Sequence, residues 1–143
     1  MEIMPGLLQL MNQTITTAQA GSAPVIVTGL AKAKSLGIYC NFIYGAAGTT
    51  ADVYVQTSFD GGLTWCDVCN FHNLLVSNRL YFNICSSTPV TTEDVINDVS
   101  TGSPIPNNTC KDGIVGDQWR AWLVTTGTYT TNTTVQVFAV ARA

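Results

Sequence analysis

The chain has 143 residues, a length that fits a single domain and is sufficient to bury a hydrophobic core. Charged residues make up only 10% of it, against roughly 25% in an average protein, and 20 Thr and 10 Asn supply most of the polarity. The net charge is −3 and the six Lys and Arg residues are scattered, so we expect neither a phosphate-binding patch nor a nucleic-acid partner. A surface with so few charges is expected to be partly covered by protein partners.

No export or membrane-spanning segment is expected. The first twenty residues contain no Lys or Arg, and Pro5-Gly6 interrupts their short apolar run, which is unlike a signal peptide. No apolar run approaches the roughly 20 residues of a membrane helix. We therefore expect synthesis in the cytoplasm and no contact with a membrane.

Residues 1–23 differ from the rest of the chain and are predicted to form an N-terminal arm. Met4 to Met11 have the composition of one or two helical turns, which is too short for a stable isolated helix. Either the arm folds onto the same sheet or a neighbouring subunit, or it is a loosely packed lead-in. The remaining residues, 24–143, are predicted to form a single β-sandwich domain.

From residue 24 onward the pattern is one of strands separated by turns. Alternate apolar residues mark one face of a strand over residues 36–44, namely Leu36, Ile38, Cys40, Phe42 and Tyr44. Further strands are predicted at 25–27, 51–57, 64–71 and 79–84, with a second hairpin at 117–126 and 133–142. The irregular excursion over 86–116 is long enough to be functional. We predict an all-β fold, a two-sheet sandwich of jelly-roll or immunoglobulin-like type with about six to eight strands.

Residues 58–65, Ser-Phe-Asp-Gly-Gly-Leu-Thr-Trp, fit the pattern S-x-D-x-G-x-T-W between two predicted strands. We expect Asp60 to accept hydrogen bonds across the turn, and Gly61 and Gly62 to adopt positive φ. The pattern resembles the Asp-box of sialidases and other β-propellers, in which it is a structural turn away from the active site. A single copy cannot build a propeller. The residues assigned to this structural turn are Ser58, Asp60, Gly61, Gly62, Thr64 and Trp65.

No catalytic, cofactor or metal site is predicted. Cys66-Asp67-Val68-Cys69 has the C-x-x-C spacing of zinc and redox sites, but on a strand the two cysteines point to opposite faces about 10 Å apart. Five cysteines are an odd number, which argues against a complete disulfide framework, so we interpret them as buried free thiols. His72 is the single histidine and has no convincing orienting partner. We therefore predict that the protein is not an enzyme.

Apolar residues also occupy the outward faces of several predicted strands. A sandwich in water should be polar there, so these residues indicate contacts beyond one subunit. The candidate interface combines the N-terminal arm with three outward aromatic residues: Leu7, Leu8, Leu10, Met11, Tyr54, Trp122 and Phe138. Closed symmetry would bury these aromatics repeatedly, and we expect a homo-oligomer, either a dimer or a trimer.

Two stretches, residues 53–65 and 112–142, together resemble small β-sandwich structural proteins of tailed bacteriophages, including capsid decoration (cement) proteins. The resemblance covers roughly residues 36–71 and 110–142. It implies a non-enzymatic subunit on the capsid exterior of the virion, which binds the major capsid protein and so bridges and stabilises neighbouring copies. Two alternatives stay open, a structural protein of the phage tail or neck and a carbohydrate-binding or adhesin module.

Overall fold

Strands account for almost all regular structure in this computed structural model, which describes residues 6–23 and 25–142. Those residues form eleven β-strands and one 3-10 helix at Val99–Thr101. The strands are β1 (Leu7–Ile15), β2 (Ala20–Ser22), β3 (Ile26–Val27), β4 (Ser35–Ile43), β5 (Ala46–Ala47), β6 (Thr50–Ser58), β7 (Cys66–Asn73), β8 (Asn78–Cys85), β9 (Gln118–Thr126), β10 (Tyr129–Thr131) and β11 (Thr133–Arg142). The all-β prediction is confirmed.

The long strands form two antiparallel sheets. Sheet A has the order β1-β11-β4-β8, and sheet B has the order β2-β9-β6-β7, with β3 also paired to β9. A short β5–β10 pair lies apart from both sheets. The first principal strand thus pairs with the last, β2 with β9, β4 with β8, and β6 with β7. This nested pairing is a rolled-up long hairpin and gives a jelly roll, whose strand order differs from that of an immunoglobulin sandwich.

The core lies between the two sheets and follows the alternation of each strand. On β4 the residues at every second position, Leu36, Ile38, Cys40 and Phe42, are buried as predicted. On β9 and β11 the same alternation buries Trp119, Ala121, Leu123, Val135, Val137 and Ala139. Because successive side chains of a strand point to opposite faces, the intervening residues of sheet A are directed outward.

From Leu7 onward the N-terminal segment is a strand in place of the predicted helical turns, and residues 1–5 of the predicted arm lie outside the described residues. β1 pairs with β11 along its length, with a register shift between Gln9 and Met11. This bulge lets the neighbouring residues Leu10 and Met11 both enter the core, where neither is exposed to solvent. The spacing that suggested a helix is therefore that of a bulged strand. Of the alternatives for the predicted arm, folding onto the same sheet is the one observed, so β1 and β2 belong to the sandwich.

Residues 86–117, here called the capping segment, connect β8 to β9 and cover the outer side of sheet B. Within this segment, the backbone of Cys110 pairs with that of Cys69 in an isolated antiparallel β-bridge at the edge of β7. The backbone N–H of Asp67 donates to the Asn97 carbonyl at 2.7 Å. Covered in this way, β6 and β7 are buried on both faces over most of their length. Sheet A has no such cover among the described residues.

Candidate interaction surface on sheet A

The outer face of sheet A carries a row of aromatic side chains that crosses three strands. Phe138 of β11 pairs with Tyr39 of β4, which in turn pairs with Tyr81 of β8. The rings of Tyr39 and Phe138 are stacked with centroids 6.5 Å apart. Tyr81 is 78% exposed. The register of two antiparallel pairs therefore assembles one surface from three segments that are distant in sequence.

The neighbouring row forms a shallow apolar groove beside these rings. Leu7 pairs with Val140, and Val140 pairs with Gly37. Gly37 has no side chain, so the floor of the groove lies at the backbone of β4 between Tyr39 and the strand end. Leu7, Gly37, Tyr39, Phe138 and Val140 line a cavity of about 310 Å³. We call the rings and this groove together the sheet A face.

The charge of the sheet A face differs from that of the rest of the protein. The chain has nine acidic residues and a net charge of −3, yet the four described strands of sheet A contain no Asp or Glu. Two cations, Arg79 and Arg142, are exposed beside the apolar groove and the aromatic row. Asn41 donates to the Gln136 side chain at 3.1 Å, which adds a polar row at one side of the rings. The sheet A face is thus apolar at its centre and positive at its margins.

Only part of the predicted interface lies on this face. Leu7 and Phe138 are on it, and Leu7 is 66% exposed. Leu8 is half-buried against the core. Leu10 and Met11 are fully buried in the core, so they are unavailable to a partner and their assignment as contact residues is wrong. Tyr81 was missed, although the alternation of Leu80-Tyr81-Phe82 places it opposite the inward residues.

Tyr54 is outward on β6 but covered, so its assignment as a contact residue is also wrong. It is only 6% exposed. Burial, and then the charges of Asp52 and Asp67, raise the pKa of Tyr54 to about 12. The sequence pattern identified the outward direction of this side chain correctly. It could not show that this side chain is covered in the folded protein.

Trp122 lies on the outer face of sheet B in a stack centred on Arg120. The Arg120 guanidinium carbon is 4.1 Å from the ring centroid of Trp65 and 4.6 Å from that of Trp122. Burial lowers the pKa of Arg120, while the carboxylates of Asp98 and Asp67 oppose that shift. Cation–π contacts are worth about 0.5–1 kcal/mol at exposed sites and about 2 kcal/mol when desolvated, and Arg120 is half-buried. Trp122 is thus half-buried, like Phe138, and its ring already packs against Arg120 of its own subunit.

Beside this stack, the side chain of Gln56 connects three charged residues. Its Oε1 accepts from Arg120 Nε at 2.7 Å, and its Nε2 donates to Asp67 Oδ1 at 2.8 Å and to Asp98 Oδ1 at 2.9 Å. Gln56 is fully buried and each of its polar atoms has a partner. This network fastens the capping segment to sheet B.

The structural turn at residues 58–65 has the expected geometry. Asp60 Oδ1 accepts from the Thr64 backbone N–H at 2.9 Å, and the Ser58 hydroxyl donates to the same oxygen at 2.9 Å. Gly61 and Gly62 have φ of 73° and 91°. Hydrogen bonds from the Thr64 hydroxyl and backbone lower the pKa of Asp60 to about 2. Trp65, at the end of the turn, is buried by the Arg120 stack.

All five cysteines are free thiols, and Cys66 and Cys69 of the C-x-x-C sequence are both buried. Within residues 6–23 and 25–142, no group of three or more His, Cys, Asp or Glu side chains is arranged to hold a metal ion.

His72 does have an orienting partner that the sequence did not indicate, because its Nδ1 lies 2.6 Å from Asp52 Oδ1 across the β6–β7 pair. It borders a cleft of about 460 Å³ lined mainly by apolar residues.

No protein-family model, curated protein or solved structure matches the chain. Among the residues that the structure describes, there is no helix with the length and apolar character needed to cross a bilayer.

Proposed function

We propose that this chain is a structural virion protein, a capsid decoration (cement) subunit of a tailed bacteriophage. In this proposal it attaches to the outer surface of the major capsid protein through the sheet A face. The sequence resemblance over residues 36–71 and 110–142 supplies the class of assembly. Jelly rolls are also a common architecture of viral shell proteins, which agrees with the proposal by analogy of fold.

The observation that carries the proposal is the uncovered aromatic row on sheet A. A sheet face in water is normally polar. Here Phe138, Tyr39 and Tyr81 lie in one row beside Leu7 and Val140. Apolar clusters of this kind mark surfaces that are buried in an assembly. The capping segment covers β6 and β7 of sheet B, whereas the outer face of sheet A is open to a partner.

The charges around the sheet A face indicate which partner surface would be complementary to it. Arg79 and Arg142 flank the apolar centre, so a complementary patch has an apolar middle and carboxylates near its margin. Strength would come from repetition over many copies on the shell, each of which bridges neighbouring capsid subunits.

The direct test uses purified virions of the phage that encodes this chain. Quantitative mass spectrometry of intact particles should find the protein in on the order of hundreds of copies, as repeated capsid symmetry requires. A copy number that matches only the symmetry of a tail or neck would overturn the capsid assignment and favour the tail or neck alternative.

A binding test then asks whether the protein attaches to the capsid through the sheet A face. Capsids that lack the protein should rebind wild type but not the variant Tyr81→Glu, which places a charge on a side chain that is 78% exposed. The matched control is Leu63→Glu, since Leu63 is 85% exposed at the structural turn, away from sheet A. Equal binding of Tyr81→Glu and wild type would contradict attachment through this face.

A carbohydrate-binding role is the second candidate, favoured by the same rings and the adjacent amides of Asn41 and Gln136. Aromatic platforms with a polar group at one side suit sugar rings, which have apolar faces and hydroxyl edges. A glycan array with the isolated protein distinguishes the two roles. Reproducible binding that is lost in Tyr81→Ala would support the sugar site, and a silent array would leave the capsid proposal standing.

A further inference from the structure

We propose that Cys69 and Cys110 are a site of reversible disulfide formation that fastens the capping segment covalently to β7. The inference rests on the geometry of these two residues and does not depend on the proposed function. In the structure both are free thiols.

The backbone hydrogen bonds fix how the two cysteines face each other. The Asn70 N–H donates to the Thr109 carbonyl at 3.0 Å, and the Lys111 N–H donates to the Val68 carbonyl at 2.7 Å. Cys69 and Cys110 lie between these two hydrogen bonds, and their backbones form an antiparallel β-bridge. They are therefore a non-hydrogen-bonded pair, in which Cα atoms are typically about 4.5 Å apart and the side chains are close. That spacing lies within the range of roughly 4.4–6.8 Å that disulfides require.

The two thiols differ in their pKa and in their exposure to solvent. Interaction with the Cys69 side chain lowers the pKa of Cys110. Burial raises the pKa of Cys69, which is fully enclosed. Cys110 is only half-buried. Cys110 is thus suited to attack an external disulfide, and Cys69 to resolve the product.

The oxidation balances with a small disulfide such as oxidised glutathione as the oxidant. The Cys110 thiolate attacks one glutathione sulfur, breaks the S–S bond and releases one glutathione thiolate. Cys69 then loses its proton and attacks the Cys110 sulfur, which releases the second glutathione. Two electrons pass from the protein thiols to the oxidant, and two glutathione thiols leave. A reducing cytoplasm would keep the site open, and an oxidising environment outside the cell would close it.

The bond would add a covalent link between β7 and the capping segment, which is now held by hydrogen bonds and by packing of residues such as Ile114 and Val115 against the core. Closing a loop of about 40 residues should raise the Tm by roughly 10 °C. The three other thiols are expected to stay free. Cys40 is buried on the opposite sheet, where desolvation raises its pKa to about 12.

The experiment compares fully reduced protein with protein equilibrated with oxidised glutathione. Thiol titration in denaturant should fall from five to three, and peptide mass spectrometry should identify a Cys69–Cys110 crosslink. Dithiothreitol should restore all thiols and reverse the Tm increase. Cys110→Ser should abolish both changes, whereas Cys85→Ser, the matched change at the other half-buried cysteine, should retain them.

A full set of free thiols after treatment with oxidised glutathione would overturn the proposal. So would a crosslink that joins any other pair, or oxidation that persists in Cys110→Ser. Because the crosslink is mapped in wild-type protein, the proposal stays testable even if the Cys110→Ser variant does not fold.

Discussion

The carboxylate of Asp67 accepts a hydrogen bond of 2.9 Å from the backbone N–H of Ile105, a residue of the capping segment. Asp67 is 1% exposed and Ile105 is 2% exposed. A buried acidic residue at the outer face of β7 therefore organises the backbone of a distant loop. This relationship, and the Gln56 network beside it, explain why sheet B is covered while sheet A is not.

We expect Asp67→Ala to lower the free energy of unfolding by about 3 kcal/mol, because it leaves buried donors without an acceptor. The donors are the N–H groups of Val99 and Ile105 and the Gln56 amide. Urea denaturation measures the change. Asp94→Ala is the control, since the Asp94 side chain is 62% exposed and its ion pair with Lys111 should contribute less than about 1 kcal/mol. Similar effects for the two variants would contradict the buried network.

Asp60 should contribute a pH-dependent part of the stability. Its folded pKa of about 2 is below its ordinary value of 3.8, so the contribution is fully present above about pH 4 and is lost as the pH falls towards 2. Asp60→Asn cannot titrate, so its stability should depend less on pH over that interval. Urea midpoints measured from pH 5 to pH 2 provide the comparison, in which other carboxylates contribute equally to both proteins. Parallel curves would show that the turn does not hold the carboxylate as described.

Gly21→Ala should destabilise the protein by about 2 kcal/mol. Gly21 has φ of +128°, and an added Cβ would overlap the indole of Trp122. The ring would have to shift, which changes its packing on Arg120 and which near-ultraviolet circular dichroism can detect. Gly61→Ala is the matched control, because Gly61 also has positive φ but faces open space. Its expected cost is only about 1 kcal/mol, from backbone strain alone. An unchanged aromatic spectrum in Gly21→Ala would argue against the packing of Trp122 on this glycine.

In free protein, where no capsid protein covers it, the sheet A face should also mediate self-association. Light scattering of the free protein is expected to give the mass of a dimer or a trimer, since closed symmetry buries the aromatic row in each copy. Phe138→Glu should shift the population to monomers, with little loss of Tm because Phe138 points away from the core. Leu63→Glu should leave the oligomer intact. A wild-type protein that stays monomeric at high concentration would count against self-association through this face.

Local patterns predicted much of the fold but only part of the surface. The alternation of Leu36, Ile38, Cys40 and Phe42 indicated both the strand and its buried side, because side-chain direction on a strand has a period of two. The same alternation placed Phe138 and Tyr54 outward. It could not distinguish the half-buried Phe138, which lies beside the exposed Tyr81, from Tyr54, which is only 6% exposed, since that difference depends on which parts of the chain fold over each sheet.

The amino-acid sequence by itself determined the all-β class and the turn around Asp60, because strand periodicity and turn chemistry act between near neighbours. Only the tertiary structure decided which strands are partners, and hence that Phe138, Tyr39 and Tyr81 share one row. It also decided that Leu10 and Met11 enter the core through a bulge, and that Cys69 faces Cys110. Register between distant segments is selected by the burial of whole faces and by backbone hydrogen bonds across the sheet, and neither is contained in any short stretch of sequence.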